Sequence, residues 1–234
     1  MSVSEVYRKT RKLPDLAFNL YVCRPLAAVL VDLIKGTRIT PNQVTLSAVA
    51  VSAVASACLL FWPGYAGLVA GVLIFEASYV LDCADGMLAR WRGVASPEGH
   101  LLDFLMDELK AFVLLSTVAY RLFSEHADAR FLLLGLAGLV ALASGIALTT
   151  FVRRPEIAGP KRAEPAPVRR GPLAWLESAA KFVIHYPSYI WLAAVLGRIE
   201  LYFFPYIAIN ALYAARMFLG VSLRFGRFAP NQSL

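Results

Sequence analysis

Charged residues are scarce in this chain, and one long stretch lacks them entirely. They make up 17% of the 234 residues, whereas 59% of the residues are hydrophobic, and residues 39–75 carry no charged side chain. Further uncharged runs occupy residues 131–152, 182–197 and 201–215. Because a helix that crosses a membrane needs about 20 mainly apolar residues, these runs argue against a soluble protein. They predict an integral membrane protein.

The sequence is also poor in cysteine. Cys23, Cys58 and Cys83 form no C-x-x-C pair and no metal-ligand spacing, which argues against a disulfide framework. The formal net charge is +7, but the basic residues flank the apolar runs rather than forming one face. We therefore expect anionic lipid headgroups, and no nucleic acid, as the partners of these charges. Residues 1–16 have no apolar core ahead of their first charges, so we expect no cleaved signal peptide.

The pattern of apolar runs predicts an all-α membrane fold with six spanning helices. They cover about residues 40–62, 68–90, 99–123, 131–152, 179–196 and 201–219. Residues 14–36 are interrupted by charges and predict a juxtamembrane amphipathic helix, with a seventh, poor span as the alternative. Residues 153–172, rich in proline and basic residues, predict an aqueous linker. The expected organisation is a cytoplasmic N-terminal part (1–39), a transmembrane catalytic domain (40–220) and a cytoplasmic tail (221–234).

The distribution of Lys and Arg predicts the orientation. With the N-terminus inside, the inner segments hold seventeen Lys and Arg residues and the outer loops hold three. This bias follows the positive-inside rule and predicts that both termini are cytoplasmic.

Four aspartates lie beside the most apolar segments, although burying an unpaired carboxylate costs several kcal/mol, very roughly. Asp82 and Asp85 come near the inner end of the second predicted span, and Asp103 and Asp107 near the inner start of the third. Spacings of three and four residues place each pair on one helix face, and the short intervening loop predicts an antiparallel hairpin. The four carboxylates then face one cavity near the cytoplasmic surface. Such oxygen ligands suit two hard divalent cations that clamp a phosphoryl group.

A structural alternative remains for these acids, in which Arg90, Arg92, Lys110 and water satisfy them. A fifth acid, Glu76, lies six residues before Asp82 and about 120° round the helix from it. We expect Glu76 to pair with Lys110 inside the bundle, and a substrate role is the alternative.

The acidic residues belong to a longer string, D82-x2-D85-G86-x2-A89-R90-x8-G99-x3-D103-x3-D107. This string resembles the signature of the CDP-alcohol phosphotransferases at all eight of its fixed positions. The "TPNQVT" start of the first span and the six-span layout extend the resemblance over about residues 40–220.

The resemblance implies transfer of a substituted phosphate from a CDP-linked alcohol to a second alcohol, with release of CMP. It implies Mg²⁺ or Mn²⁺ as cofactor, two ions per site, and a homodimer. It implies metal binding by Asp82, Asp85, Asp103 and Asp107, with Asp107 also the general base. Gly86, Ala89, Arg90 and Gly99, together with Asp82 and Asp85, would form the CDP site. The resemblance to members of this size favours CDP-diacylglycerol as the donor. It also implies the inner membrane of a prokaryote as the location.

Residues outside the signature are ambiguous. Asn42 and Thr45 lie level with the acids; the resemblance suggests nucleotide contacts, and helix capping is the alternative. Basic residues near inner span ends would form a pocket for a phosphorylated acceptor or else anchor the chain beside anionic lipid; they are Arg153, Arg154, Lys181 and Arg216. We expect His185 to make a polar helix contact rather than bind a ligand. Glu108, an acid directly after Asp107, disfavours an anionic acceptor, and compensation by Lys110 and Lys181 is the alternative.

Two other functions stay open at this point. A polytopic prenyltransferase also binds Mg²⁺-diphosphate through Asp-rich helices, but it usually has more spans and two distant motifs. A transporter or divalent-cation channel would need acids along a path, whereas these acids cluster at one membrane face. Neither the acceptor alcohol nor the choice between lipid donor and lipid acceptor follows from the sequence.

Overall fold

The computed structural model describes residues 2–12, 15–154, 157 and 179–225, and all regular structure in these residues is helical. Most of the predicted linker and most of the C-terminal tail lie outside the described residues. The helices in chain order are α1 (Val3–Thr10), α2 (Arg24–Ile34), α3 (Pro41–Phe61), α4 (Gly64–Arg92), α5 (Pro97–His126), α6 (Arg130–Val152), α7 (Ile190–Val195) and α8 (Glu200–Phe225). A π-helical turn, Asn19–Cys23, precedes α2, and a 3₁₀ turn, Tyr186–Ser188, precedes α7.

Four of these helices are long and apolar enough to cross a membrane. They are Pro41–Phe61, Gly64–Arg92, Arg130–Val152 and Glu200–Arg224. They correspond to four of the six predicted spans. Helix α5 has 30 residues and α4 has 29, but the first half of α5 carries several acids and a lysine. A span along α5 therefore stays a prediction.

The segment predicted as one span over residues 179–196 is not a continuous helix. Residues 179–184 are helical, His185 leaves the helical conformation with ψ 70°, and the 3₁₀ turn and α7 follow. Pro187 explains the break, because in a continued α-helix its nitrogen cannot donate to the Val183 carbonyl and its ring clashes with that carbonyl. The prediction of an unbroken helix was wrong, and the break turns His185 and Tyr186 towards the bundle.

The loop between α4 and α5 is as short as the sequence predicted. Helix α4 ends at Gly93, whose left-handed φ of 67° suits glycine. Helix α5 begins at Pro97, and the Ser96 side chain accepts a hydrogen bond from the Gly99 amide at 3.1 Å. These signals reverse the chain, so that the C-terminal part of α4 and the N-terminal part of α5 face each other through their side chains, as in the ion pair of Asp82 with Lys110.

The N-terminal helices pack onto α3 and α4. They share with these helices a buried apolar cluster of Val6, Ala27, Ala28, Val31, Val44, Ala84, Met87 and Leu88. With residues 17–18 and the π-helical turn, α2 forms one helical segment over residues 17–34, and its opposite face exposes Leu26, Val29 and Leu33. An interfacial position for α2 stays a prediction. Helix α1 was not predicted.

A larger apolar core contains side chains from every helix between α3 and α8 inclusive. Its largest buried side chains include Phe75 on α4, Leu114 on α5, and Tyr202 and Phe203 on α8. Close helix approach requires a glycine at one α5–α6 contact, where a Cβ on Gly135 would lie 2.4 Å from the Ala119 Cβ.

Arg121 ties two of the long helices together. The sequence suggested an outer-loop cation, but its side chain is only 3% exposed. Its guanidinium donates to the carbonyl oxygens of Leu59, Trp62 and Gly64, at 3.0, 3.1 and 2.6 Å. Arg121 thus satisfies the free carbonyls at the end of α3.

Candidate active site at the α4–α5 hairpin

Three of the four predicted carboxylates converge. Asp82 and Asp85 on α4 and Asp103 on α5 each place one oxygen so that all three lie within 4.8 Å of one another. Asp82 and Asp85 are buried, and the Asp103 side chain is about one third exposed. Three carboxylates this close repel each other unless a cation lies between them, and hard divalent cations prefer such oxygen ligands. The donor set therefore fits Mg²⁺ or Mn²⁺.

Asp85 also has a partner on a third helix. The Thr45 hydroxyl of α3 donates a hydrogen bond to the Asp85 carboxylate, in a buried position. This bond links α3 to the carboxylate cluster and gives Thr45 a positioning role.

The fourth carboxylate, Asp107, lies one turn beyond Asp103 and outside the group of three. Its Oδ1 lies 2.8 Å from the Nζ of Lys110, and the same ammonium pairs with Asp82. The Lys110 side chain is 2% exposed, so the two ion pairs are shielded on the lysine side. Lys110 therefore connects the carboxylate cluster to Asp107. The structural alternative is correct for this one cation.

The other two cations considered as partners of the acids contact backbone instead. Arg90 Nε donates to the Thr10 carbonyl at 2.7 Å, at the end of α1. Arg92 donates to carbonyl oxygens that follow α2, among them Thr37 at 2.9 Å. Within the described residues, neither forms an ion pair with the aspartates.

The predicted pairing of Glu76 with Lys110 is wrong. Lys110 binds Asp82 and Asp107, and both Glu76 oxygens are buried with no hydrogen-bond partner among the described residues. The physical reason is helical phase: Glu76 lies about 120° round α4 from Asp82, the residue that faces Lys110 on α5.

A cavity of about 490 Å³ opens beside the carboxylate cluster. Its wall contains eight of the residues predicted for the nucleotide and metal sites, namely Asn42, Thr45, Asp85, Gly86, Ala89, Arg90, Gly99 and Asp103. We call this space the donor cavity. Asp82 lies behind its wall, buried against Lys110.

Two details of the donor cavity refine the sequence interpretation. Thr40 and Gln43 cap α3 reciprocally, at 3.2 and 2.9 Å, so capping does not explain Asn42 in the cavity wall. Gly86 leaves room for the Arg90 side chain, because a Cβ at residue 86 would lie 3.3 Å from Arg90 Nη1.

A second cavity of about 440 Å³ has Asp107 in its wall. We call it the acceptor cavity. Asp107, Glu108 and Arg153 line it, but Arg154, Lys181 and Arg216 do not. Arg154, Lys181 and Arg216 are exposed instead. The predicted basic pocket is therefore represented by Arg153 alone among the described residues.

Sequence reasoning missed most of the polar wall of the acceptor cavity. The added residues are Tyr79, Thr149, Tyr206, Asn210 and Tyr213. All five are polar side chains within apolar helices, and this signal was present in the sequence. What the sequence does not show is that three separate helices bring them together. His185, predicted to make a polar helix contact, also lines this cavity and bonds Tyr79 at 2.7 Å.

The comparison with known protein families decides to which family the chain belongs. The family model for CDP-alcohol phosphatidyltransferases matches residues 38–199, more than half of the chain. The protein belongs to the CDP-alcohol phosphatidyltransferase family. Membership makes it a membrane-associated transferase of phospholipid biosynthesis that moves a phosphate-linked group from a CDP-alcohol to an alcohol. It also weighs against the prenyltransferase and transporter alternatives. No curated protein matches the chain significantly.

The matched region covers the donor cavity but not all of the molecule around the site. Helices α1 and α2 precede residue 38, and α8 begins at the end of the match. The family is typically divalent-metal dependent, in agreement with the three clustered carboxylates.

Proposed function

We propose that this CDP-alcohol phosphatidyltransferase transfers phosphatidyl from CDP-diacylglycerol to a small alcohol and releases CMP, with two divalent cations and Asp107 as general base. The observation that carries the proposal is the placement of the acids. Three carboxylates converge beside one cavity, and the fourth lines a second cavity. Two substrates that react with each other need two adjoining sites of this kind.

The donor cavity supports binding of the CDP group. Asp82, Asp85 and Asp103 would hold the cations, which supply charge stabilisation at the diphosphate when bound. Arg90 lines the cavity and, anchored by the Thr10 carbonyl, can orient its guanidinium towards phosphate oxygens. Gly86 and Ala89 leave space beside it. These residues bind and orient the donor.

Asp107 supports the transfer step from the acceptor side. Its carboxylate removes the proton of the alcohol hydroxyl while the oxygen of that hydroxyl forms a bond to the phosphorus of the phosphatidyl group. The bond between this phosphorus and the bridging oxygen breaks, and CMP leaves with the electron pair. Lys110 pairs with Asp107 at 2.8 Å and thereby holds the carboxylate in position between the cluster and the acceptor cavity.

The proposal is tested with purified protein in detergent micelles containing CDP-diacylglycerol and Mg²⁺ or Mn²⁺. The alcohols are glycerol, myo-inositol, L-serine and sn-glycerol 3-phosphate, supplied one at a time, and CMP is measured by chromatography. We expect CMP release that requires both an alcohol and the metal, with a phospholipid as the second product.

A reversed set tests the opposite arrangement, in which the lipid is the acceptor. It contains diacylglycerol with CDP-choline or CDP-ethanolamine. CMP from this set alone would contradict the phosphatidyl donor, and CMP from neither set would contradict the proposed function.

A further inference from the structure

Tyr79 and His185 form a polar edge of the acceptor cavity that the transfer step does not use. Tyr79 lies one turn before Asp82 on α4, and His185 lies at the break before Pro187. The Tyr79 hydroxyl oxygen and His185 Nε2 are 2.7 Å apart, and the two rings meet edge to face at 5.4 Å. Both residues line the same cavity as Asp107.

The direction of the hydrogen bonds at this edge follows from the N-terminal segment. The Asp15 carboxylate accepts a bond from the Asn19 side-chain nitrogen at 3.0 Å. An ionised carboxylate can only accept, so the amide nitrogen of Asn19 must face Asp15 and its oxygen must face elsewhere. That oxygen lies 3.0 Å from the Tyr79 hydroxyl, which therefore donates to it.

The orientation continues from Tyr79 into the broken helix. Because the single hydroxyl proton of Tyr79 is committed to Asn19, His185 Nε2 must donate to the Tyr79 oxygen. Burial lowers the pKa of His185, so its imidazole is neutral, and Nδ1 then accepts from the Ser188 hydroxyl, 2.6 Å away. The bonds run in one direction, from Ser188 to Asp15, and we call this set the Ser188–Asp15 chain.

The fixed end of the chain is well anchored. Asn19 and Arg24 are each only 7% exposed, and Arg24 pairs with the Asp15 carboxylate. Burial raises the pKa of Asp15, but the hydrogen bonds from Asn19, Arg24 and the Leu16 amide lower it more, and the net pKa lies below its ordinary value. Asp15 is therefore ionised at neutral pH, as the direction of the chain requires.

The Ser188–Asp15 chain leaves the Tyr79 oxygen able to accept, but not to donate, a hydrogen bond towards the cavity. A hydroxyl oxygen has one proton and two lone pairs, and here the proton and one lone pair are already used. We propose that Tyr79 is a specificity-determining residue whose remaining lone pair accepts a hydrogen bond from a hydroxyl or ammonium group of the alcohol substrate, and that Asn19 orients it for this role. This inference rests on the proposed function. It assigns residues 15–24, which precede the matched family region, to the acceptor site.

The consequence concerns the class of alcohol. An acceptor-only oxygen favours a polyol or an amino alcohol, because these carry donors besides the reacting hydroxyl. It donates no hydrogen bond to phosphate oxygens, which are acceptors themselves. Glu108 in the same wall acts in the same direction.

The test compares Tyr79→Phe, Asn19→Leu and the double variant with the wild type, in the CMP-release assay with CDP-diacylglycerol. The alcohols are glycerol, myo-inositol and L-serine. We expect Tyr79→Phe to raise the alcohol KM about 3- to 10-fold, the loss of one hydrogen bond, and to leave the CDP-diacylglycerol KM within about twofold. We expect Asn19→Leu alone to raise the alcohol KM by a smaller factor than Tyr79→Phe does. When it is added to Tyr79→Phe, we expect no further increase in the alcohol KM.

The matched control is Tyr65→Phe, which removes a hydroxyl that bonds the Val195 carbonyl at 2.8 Å, away from both cavities. It should leave both KM values unchanged. An unchanged alcohol KM in Tyr79→Phe, or a further increase from Asn19→Leu in that background, would overturn the inference while CMP release by the wild type still supports the proposed function.

A second measurement tests the chain without turnover. In thermal unfolding of the detergent-solubilised protein, residues of one hydrogen-bond network give non-additive shifts. We expect the double variant to lower the Tm by clearly less than the sum of the single variants. Additive shifts would overturn the chain even if CMP release failed for every alcohol.

Discussion

Asp107 is the residue on which the proposed chemistry depends most directly. We expect Asp107→Asn to lower CMP release at least about 100-fold, because an amide cannot take the proton of the alcohol hydroxyl. The fold should persist, since Lys110 keeps its second partner, Asp82. The measurement combines CMP release with the Tm in detergent.

Asp128→Asn is the matched control for this variant, because Asp128 lies in a loop and its side chain bonds the neighbouring Arg130, away from both cavities. It makes the same chemical change away from the site and should keep full activity. CMP release close to wild type in Asp107→Asn would show that another group is the base.

Gly86 tests the donor side at the same scale. A methyl group at Gly86 would lie 3.3 Å from Arg90 Nη1, closer than ordinary contact, and would push the guanidinium aside by a few tenths of an ångström in the wall of the donor cavity. We expect Gly86→Ala to raise the CDP-diacylglycerol KM on the order of 3- to 10-fold, the value of about one charge-assisted hydrogen bond. The alcohol KM should not change.

The control for Gly86→Ala is Gly220→Ala on α8, where an added Cβ meets nothing within 4 Å. Both variants gain helix propensity, so a difference between them reports the cavity. Equal CDP-diacylglycerol KM values in the two variants would argue against a donor-binding role for Arg90.

The helices differ in how well the sequence predicted them. Helices α3, α4, α6 and α8 follow long apolar runs, and Pro41 and Ser96 mark helix starts with known capping chemistry. Helix α1 was missed, because eight residues make only about two turns and the helix is stabilised by packing on α2 and α4. The break at His185 was missed although Pro187 signals it, because the surrounding run is apolar enough to suggest a span.

Arg121 supports a prediction about how two of these helices are joined. We expect Arg121→Leu to lower the stability by more than about 2 kcal/mol, because three carbonyl oxygens of the α3–α4 turn lose a charged donor. The measurement is the Tm in detergent, with CMP release at low temperature unaffected. Arg130→Leu, a change at an exposed side chain, should leave the Tm within a degree or two. An equally small shift in Arg121→Leu would contradict the capping role.

For the whole molecule, the signature string predicted three of the acids that meet, but it placed Asp107 in the same cavity and did not show what holds the acids. The spacing of Asp82, Asp85 and Asp103 was enough to place them together, because helix geometry and a four-residue loop leave little freedom. The shared lysine and the Ser188–Asp15 chain depend on contacts between helices distant in sequence. Local spacing carries no information about such contacts, and Glu76 shows the error that follows when a long-range pair is guessed from depth alone.

The carboxylate cluster connects the stability of the whole bundle to the metal. Three carboxylates within 4.8 Å repel one another, and a cation that binds only the folded protein stabilises it by about 2.7 kcal/mol at 100 times its Kd. We expect Mg²⁺ or Mn²⁺ to raise the Tm of the wild type and EDTA to reverse the shift and stop CMP release. Asp85→Asn should lose the metal-dependent shift yet unfold no earlier than the wild type in EDTA, because one repelling charge is gone. Asp128→Asn should keep the full shift, and an equal shift in Asp85→Asn would place the cation elsewhere.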